Sequence, residues 1–227
     1  EGMKILTLLL LLPLTSQAAI FDAPDILPAN SGAVGVFGEM LLNDPTSEGA
    51  EVRGRYGFSD DWNFGVNLGT GSRGKQFRFG GETVFNIIPD WEGQVGLSAL
   101  ASLTILERLG STGVQTRLGL MAHKKFDSFT GFPATGYLAI PFYLEGRKGT
   151  YTTGGQFVVG SLWDINSQSR FYASTELGIK LGNAESYALL GMGFRLGELR
   201  FQKRSRSGGG NKSQSTGEPE YEEDDFR

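Results

Sequence analysis

Hydrophobic and polar positions alternate along most of this chain. Over residues 62–69, Trp62, Phe64, Val66 and Leu68 share one parity, while Asn63, Gly65, Asn67 and Gly69 share the other. A period of two is the mark of a β-strand with one apolar face. Residues 171–181 carry the pattern further, with Phe171, Ala173, Thr175, Leu177, Ile179 and Leu181 opposed to Tyr172, Ser174, Glu176, Gly178 and Lys180. Eleven extended residues rise about 36 Å, enough to cross a bilayer core at the tilt that barrels adopt. Strands of soluble sandwiches usually run to about five or six residues. Along the whole chain the alternation predicts ten strands, near 32–43, 48–58, 62–71, 76–88, 92–107, 113–124, 133–147, 151–163, 170–181 and 186–201. The expected fold is all-β, an antiparallel up-and-down transmembrane β-barrel of about ten strands, or eight if weak segments merge.

Composition changes the picture in three ways. The 34 glycines disfavour helix, because each costs about 1 kcal/mol in a helix interior. Cysteine is absent, so the chain carries no disulfide, thiolate nucleophile or lipidated cysteine. The net charge of −4 gives no electrostatic case for nucleic acid.

Charges inside the predicted strands keep to the parity opposite the apolar face. They are Glu39, Arg53, Arg55, Arg78, Glu82, Arg117, Glu176, Lys180 and Arg195. A soluble sandwich turns such a face to water, whereas a membrane barrel turns it into the lumen. Strand length, an export signal and the aromatic positions favour the barrel; a soluble periplasmic β-protein is the third reading. Trp62, Trp91 and Trp163, with Phe171 and Phe201, fall at strand ends of one type. In a barrel they form an aromatic girdle at one membrane interface.

The termini differ from the body. From Met3, "MKILTLLLLLPLTSQAAIF" places Lys4 before an apolar run, and Ser16 and Ala18 at the −3 and −1 positions of a cleavage site. Residues 1–18 are thus expected to be a signal peptide, 19–31 a periplasmic lead-in and 32–201 the barrel. Residues 202–227 are polar, with Lys203, Arg204, Arg206 and Lys212 early and Glu218, Glu220, Glu222, Glu223, Asp224 and Asp225 late. A segment with so little apolar surface is expected to be a disordered periplasmic tail, either a solvated extension or a tether for a periplasmic partner.

Between the signal peptide and Phe201 the chain resembles the small integral outer-membrane β-barrel proteins of Gram-negative bacteria. Its final predicted strand, with Leu199 and Phe201, resembles their assembly signal. The resemblance implies the barrel-assembly machinery as a partner, together with outer-membrane lipid and lipopolysaccharide. The apolar parity of Ala188, Leu190, Met192, Phe194 and Leu196 is opposite to that of Leu199 and Phe201, so a bulge is expected near Gly197-Glu198.

A barrel of this size can fill its interior with side chains. The lumenal charges have mixed sign, which suits internal pairing, since a desolvated charge without a partner costs several kcal/mol. The expected role is structural or envelope-maintaining, with a narrow channel for ions or small solutes as the alternative. No cofactor or metal site is implied and no Gly-x-Ser-x-Gly elbow occurs, so an enzyme is not expected, although a Ser–His pair involving the single His123 stays open. Arg73, Lys75, Arg147 and Lys148 fall in the outer loops, where they are candidates for lipopolysaccharide phosphates or simply solvated charges. Pro141 interrupts a predicted strand, which implies a local bulge or a break into two strands.

Overall fold

The computed structural model describes residues 26–42, 46–72, 76–91, 93–108, 110–126, 133–165 and 170–198. The expected signal peptide, the tail, Arg73, Lys75, Leu199 and Phe201 lie outside these residues.

Ten antiparallel strands form one closed barrel: β1 (Ser31–Leu41), β2 (Ser47–Ser59), β3 (Trp62–Gly71), β4 (Phe77–Ile88), β5 (Gly96–Arg108), β6 (Ser111–Phe126), β7 (Ala134–Arg147), β8 (Thr150–Asp164), β9 (Phe171–Leu181) and β10 (Tyr187–Glu198). Each strand pairs with its neighbour in sequence, and β1 closes on β10, so the sheet has no edge. The eight-strand alternative is thereby set aside. The near rim is where the chain enters β1 and leaves β10; the far rim holds the β1–β2, β3–β4, β5–β6, β7–β8 and β9–β10 connections. The sequence predicts a fifth strand from residue 92, but β5 starts at Gly96, and Asp90, Trp91 and Gln94 before it are bound to Lys124 on β6.

Alternation in the sequence becomes two faces in the barrel. Val66, Leu68, Leu103, Leu118, Leu138, Ile140, Leu177 and Leu190 are exposed on the outside, and the polar parity is buried inside. Pro141 produces neither the expected bulge nor a break. β7 keeps its register with β8 on both sides of the proline, and only the Ile140 and Pro141 pairings are missing from that ladder. The cause is local, since proline has no N–H to donate. A bulge does occur in β10, one residue earlier than the expected site. Ala33 faces Arg195 and Gly32 faces Gly197, leaving Leu196 as the extra residue. Gly197 accommodates it at φ 73°, a conformation that glycine adopts without strain.

Large inward side chains sit opposite glycines. Across the ladders Tyr137 faces Gly160, Tyr187 faces Gly178, Tyr172 faces Gly193, Phe37 faces Gly191 and Arg78 faces Gly69. A methyl group at Gly191 would lie 2.6 Å from Phe37 Cε1, and one at Gly69 would lie 2.7 Å from Arg78 Nη2. Real side chains do not approach so closely. The glycines are therefore the space into which the lumenal side chains fold.

Candidate functional site: the barrel interior and its two mouths

The interior is the most chemically loaded part of the molecule. Glu39 and Arg53, with 2% and 1% of their surface exposed, belong to a cluster on β1, β2 and β4. Arg53 Nε donates to Glu51, while Arg78 Nη1 lies 3.5 Å from Glu39 Oε2 and its Nη2 lies 3.6 Å from Glu51 Oε2. The Arg53 guanidinium also lies 5.1 Å from the centre of the Phe37 ring. One cluster thus holds two cations, two anions and an aromatic face, an arrangement that offsets the desolvation of each charge.

The other expected network residues are distributed around this cluster. Arg55 and Glu82 flank Gly65 from either side. Arg55 Nη2 also donates to the Tyr172 hydroxyl at 3.5 Å. Glu176 accepts from Tyr137 Oη at 2.6 Å and from Tyr187 Oη, so phenols rather than a guanidinium satisfy its carboxylate in these contacts. Arg117 Nη2 donates to Gln115 Oε1 at 2.7 Å, and Gln115 passes the interaction on to Glu145 at 3.2 Å. Arg195 pairs with Asp164 at 2.7 Å towards the near rim. Lys180 stands apart, exposed at the far mouth. Its parity is lumenal, but its strand position is beyond the closed interior.

Sequence reasoning missed several interior residues. Glu51 shares the parity of Arg53 and Arg55, so its signal was present. Tyr172 shares the polar parity of Glu176 and Phe37 that of Glu39, so their face was legible too. Tyr137 and Tyr187 gave less signal, because aromatics are expected on the lipid side and their opposing glycines lie on other strands. An apolar patch was missed for the same reason. Leu27, Val84, Leu100, Met121, Ala139, Val158 and Leu162 pack inside the barrel as a conventional hydrophobic core.

Both mouths are covered. At the far rim, residues 182–186 cross the opening, with Ala184 buried. Tyr143 Oη donates to Asn183 O at 2.7 Å, Gln156 Nε2 donates to Glu185 O at 2.6 Å, and Glu185 pairs with Arg108. Arg108 is on β5, diametrically opposite β10 in the closed order. At the near rim, residues 26–30 turn inward, and Leu27 N donates to Asn63 Oδ1 at 3.1 Å.

The near rim also carries the aromatics. Trp62, Trp91, Trp163 and Phe171 are all exposed there. Trp62 Nε1 donates to Thr83, and Trp163 Nε1 donates to Ser161 Oγ at 2.7 Å. With their N–H groups satisfied by neighbouring hydroxyls, these indoles can lie flat against the barrel in an apolar medium. Trp91 is held differently. Lys124 Nζ donates to Asp90 Oδ1 at 2.6 Å and to Trp91 O and Gln94 O, each at 2.7 Å. Partial burial acts to raise the Asp90 pKa, but the bonds from Lys124 Nζ and Lys125 N outweigh it and hold the carboxyl below its ordinary value.

Among the proposed outer-loop cations, Lys148 has a positive φ of 47° and is followed by Gly149 at 76°, as a two-residue type I′ hairpin requires. Lys148 is exposed at its tip, whereas Arg147 is partly engaged, with Nη1 donating to Arg108 O at 3.3 Å. Ser98 Oγ and His123 Nε2 lie 3.1 Å apart, so the sequence's open Ser–His pairing is realised. Both are buried, with 0% and 6% exposed. Among the described residues no group of three metal-ligating side chains converges.

No protein-family model matches this chain, and no curated protein matches it. Three solved structures are similar to it. The N-terminal β-barrel domain of Pseudomonas aeruginosa OprF is 15% identical, with 74% of this chain and 99% of that one covered and a TM-score of 0.35. An outer membrane channel from Pseudomonas putida F1 is 12% identical over 78% and 99%, with a TM-score of 0.40. Ail, the attachment invasion locus protein of Yersinia pestis, is 14% identical over 73% and 96%, with a TM-score of 0.25.

Proposed function

We propose that this chain is an integral barrel of the bacterial outer membrane, with a side-chain-filled, charge-paired lumen and a structural, envelope-maintaining role. The membrane part of the reading is supported by the exterior. Large apolar side chains circle the barrel, and each gains roughly 1.5–3 kcal/mol on leaving water. In water such a surface would aggregate; in lipid the closed ladder pairs neighbouring strand backbones with one another, with local gaps such as that at Ile140 and Pro141.

The single observation that carries the filled-lumen reading is the near-complete burial of interior side chains, charged and apolar alike. A continuous aqueous path would expose them. Purified protein in planar bilayers is expected to give no steady conductance. Well-resolved openings that disappear with Arg53→Ala or Arg78→Ala would overturn this and favour the narrow-channel reading. That second reading draws on the polar far half of the interior, where Arg78 Nε and Arg117 Nε have no hydrogen-bond acceptor among the described residues.

The reading is non-enzymatic, in keeping with the burial of Ser98 and His123. Lipopolysaccharide is a further expected partner, with Lys148 the outward cation at the β7–β8 tip, Arg147 next to it in sequence, and Arg73 and Lys75 in the sequence between β3 and β4. If neutralising all four leaves co-purified lipopolysaccharide unchanged, that contact is wrong. The barrel-assembly machinery is the expected partner for insertion through Leu199 and Phe201, testable by Phe201→Ala in an insertion assay. A periplasmic partner for the tail stays an alternative to a solvated extension.

A further inference from the structure

The near mouth is closed by a piece of chain that does not belong to the barrel wall. Leu27 is 1% exposed and lies in the interior apolar cluster. Among the described fully buried members of that cluster it alone is carried outside a strand; every other one projects from β1, β4, β5, β6, β7, β8, β9 or β10. Ile26 packs against the same cluster. The segment is seated on β2 and β3. Leu27 N donates to Asn63 Oδ1 at 3.1 Å, Ala29 N to Asp60 Oδ1 at 3.1 Å and Asn30 N to Gly57 O at 2.8 Å. Asn30, at φ 61°, turns the chain out of the mouth and into β1.

Gly57 makes the seat possible. A methyl group at that position would lie 2.6 Å from Leu27 O and would also strike Pro28 O. Its place on β2 is lumenal, so the segment passes directly over it. The wall needs none of this: the β1–β2 and β1–β10 ladders start at Gly32 and Ser31, and the ring is complete without residues 26–30.

We propose that residues 26–30 are a removable plug of the near mouth, with Leu27 as the inserted side chain and Gly57 as its seat, giving the barrel an opened second state. This rests on the reading of the chain as a membrane barrel with a closed interior. Withdrawal breaks the three bonds to Asn63, Asp60 and Gly57, that from Tyr56 Oη to Asn30 Oδ1 at 2.9 Å and those from Ser31 N and Oγ to Pro28 O. It exposes one leucine and part of one isoleucine, while every strand pairing persists. Such local openings lie far below global unfolding in cost. With the plug out, the apolar patch of Val84, Leu100, Met121 and Leu162 faces the near-side solvent.

The chain has no native cysteine, so an introduced thiol reports on its position alone. Leu27→Cys is placed in the full-length protein in nanodiscs and exposed to a water-soluble maleimide, with Thr150→Cys on the exposed far turn as the reference. The thiol at position 27 is expected to react at least about tenfold more slowly than the reference. Adding Gly57→Val, which removes the seat, is expected to bring it to the reference rate while heat-modifiable migration of the barrel persists. If Gly57→Val does not fold, Asn63→Ala combined with Asp60→Ala removes two anchors without a clash and is expected to accelerate labelling in the same way. Equal labelling of positions 27 and 150 in the parent would overturn the plug. A thiol that stays protected in a folded seat or anchor variant would overturn its removability. Neither result depends on conductance, which tests the filled lumen separately.

Discussion

The apolar patch beneath Leu27 and the charged cluster around Arg53 occupy the same barrel and achieve the same closure by different physics. In the first, Val84, Leu100, Met121, Ala139, Val158 and Leu162 fill space as they would in a soluble core. In the second, Glu39, Glu51, Arg53 and Arg78 fill it by charge pairing. Packing depends on volume and is forgiving of which atoms supply it. Pairing depends on every member being present, because the partner left behind stays buried and charged. The two patches should therefore fail differently when single residues are removed.

The largest effect is expected in the charged cluster. Arg53→Met keeps most of the volume but strands Glu51 beside Arg78 alone, and should cost about 3–5 kcal/mol of folding free energy in vesicles. Adding Glu51→Leu should recover a good part of it, since the orphaned charge is then gone. Urea titrations of the two single variants and the double variant form the cycle. Additive losses would mean that the two residues are not coupled and that the cluster is no different in kind from the apolar patch.

In that patch, Met121→Ala should cost about 2–4 kcal/mol, through lost contacts and a cavity. Leucine at the same position should be nearly neutral, because volume is conserved. A large loss for Met121→Leu would show that the patch also depends on atom identity, and the contrast with the cluster would collapse.

Phe37 sits where the two kinds of closure meet, with Arg53 over its ring and Gly191 beneath it. Gly191→Val should cost about 1–3 kcal/mol by overpacking. Combining it with Phe37→Ala should relieve the clash, and the midpoint of the double variant should lie above that of Gly191→Val alone. If Phe37→Ala only adds to the damage, the glycine is not serving as space for the ring.

How much of this could be read in the sequence depends on how local each feature is. Alternation is local, so Trp62 to Leu68 announced a strand and Phe171 to Leu181 a membrane-length one. Which face each charge takes is equally local, and Glu39, Arg53, Arg55, Arg78, Glu82 and Glu176 all lie inside. Who pairs with whom is a matter of register between strands, so the bond between Glu176 and two tyrosines had no signature in "STELG". The glycine opposite each lumenal ring is visible only once Gly191 is known to face Phe37. The covers of the two mouths are less local still, since Glu185 meets Arg108 across the diameter of the barrel. Pro141 shows the reverse error. A local rule implied a distortion that the surrounding ladder absorbs without changing register.

The smallest expected effect lies outside both patches, at the strap that holds Trp91 on the near rim. Partial burial of Asp90 favours its protonated form, but the donors from Lys124 and Lys125 prevail and hold its pKa below the ordinary value. A carboxyl whose folded pKa lies below its unfolded one stabilises the fold above the unfolded value of about 4, and this contribution is lost as pH falls through the folded value. With Trp62→Phe and Trp163→Phe, Trp91 is the sole indole of the three. Its emission should hold steady from neutral pH down to about pH 4 and change only below it, as the strap releases. Asp90→Asn should remove this acid transition while leaving the charged cluster closed. A transition that persists in Asp90→Asn would show that the strap is not what responds to acid at Trp91, and the role given to Asp90 would fall.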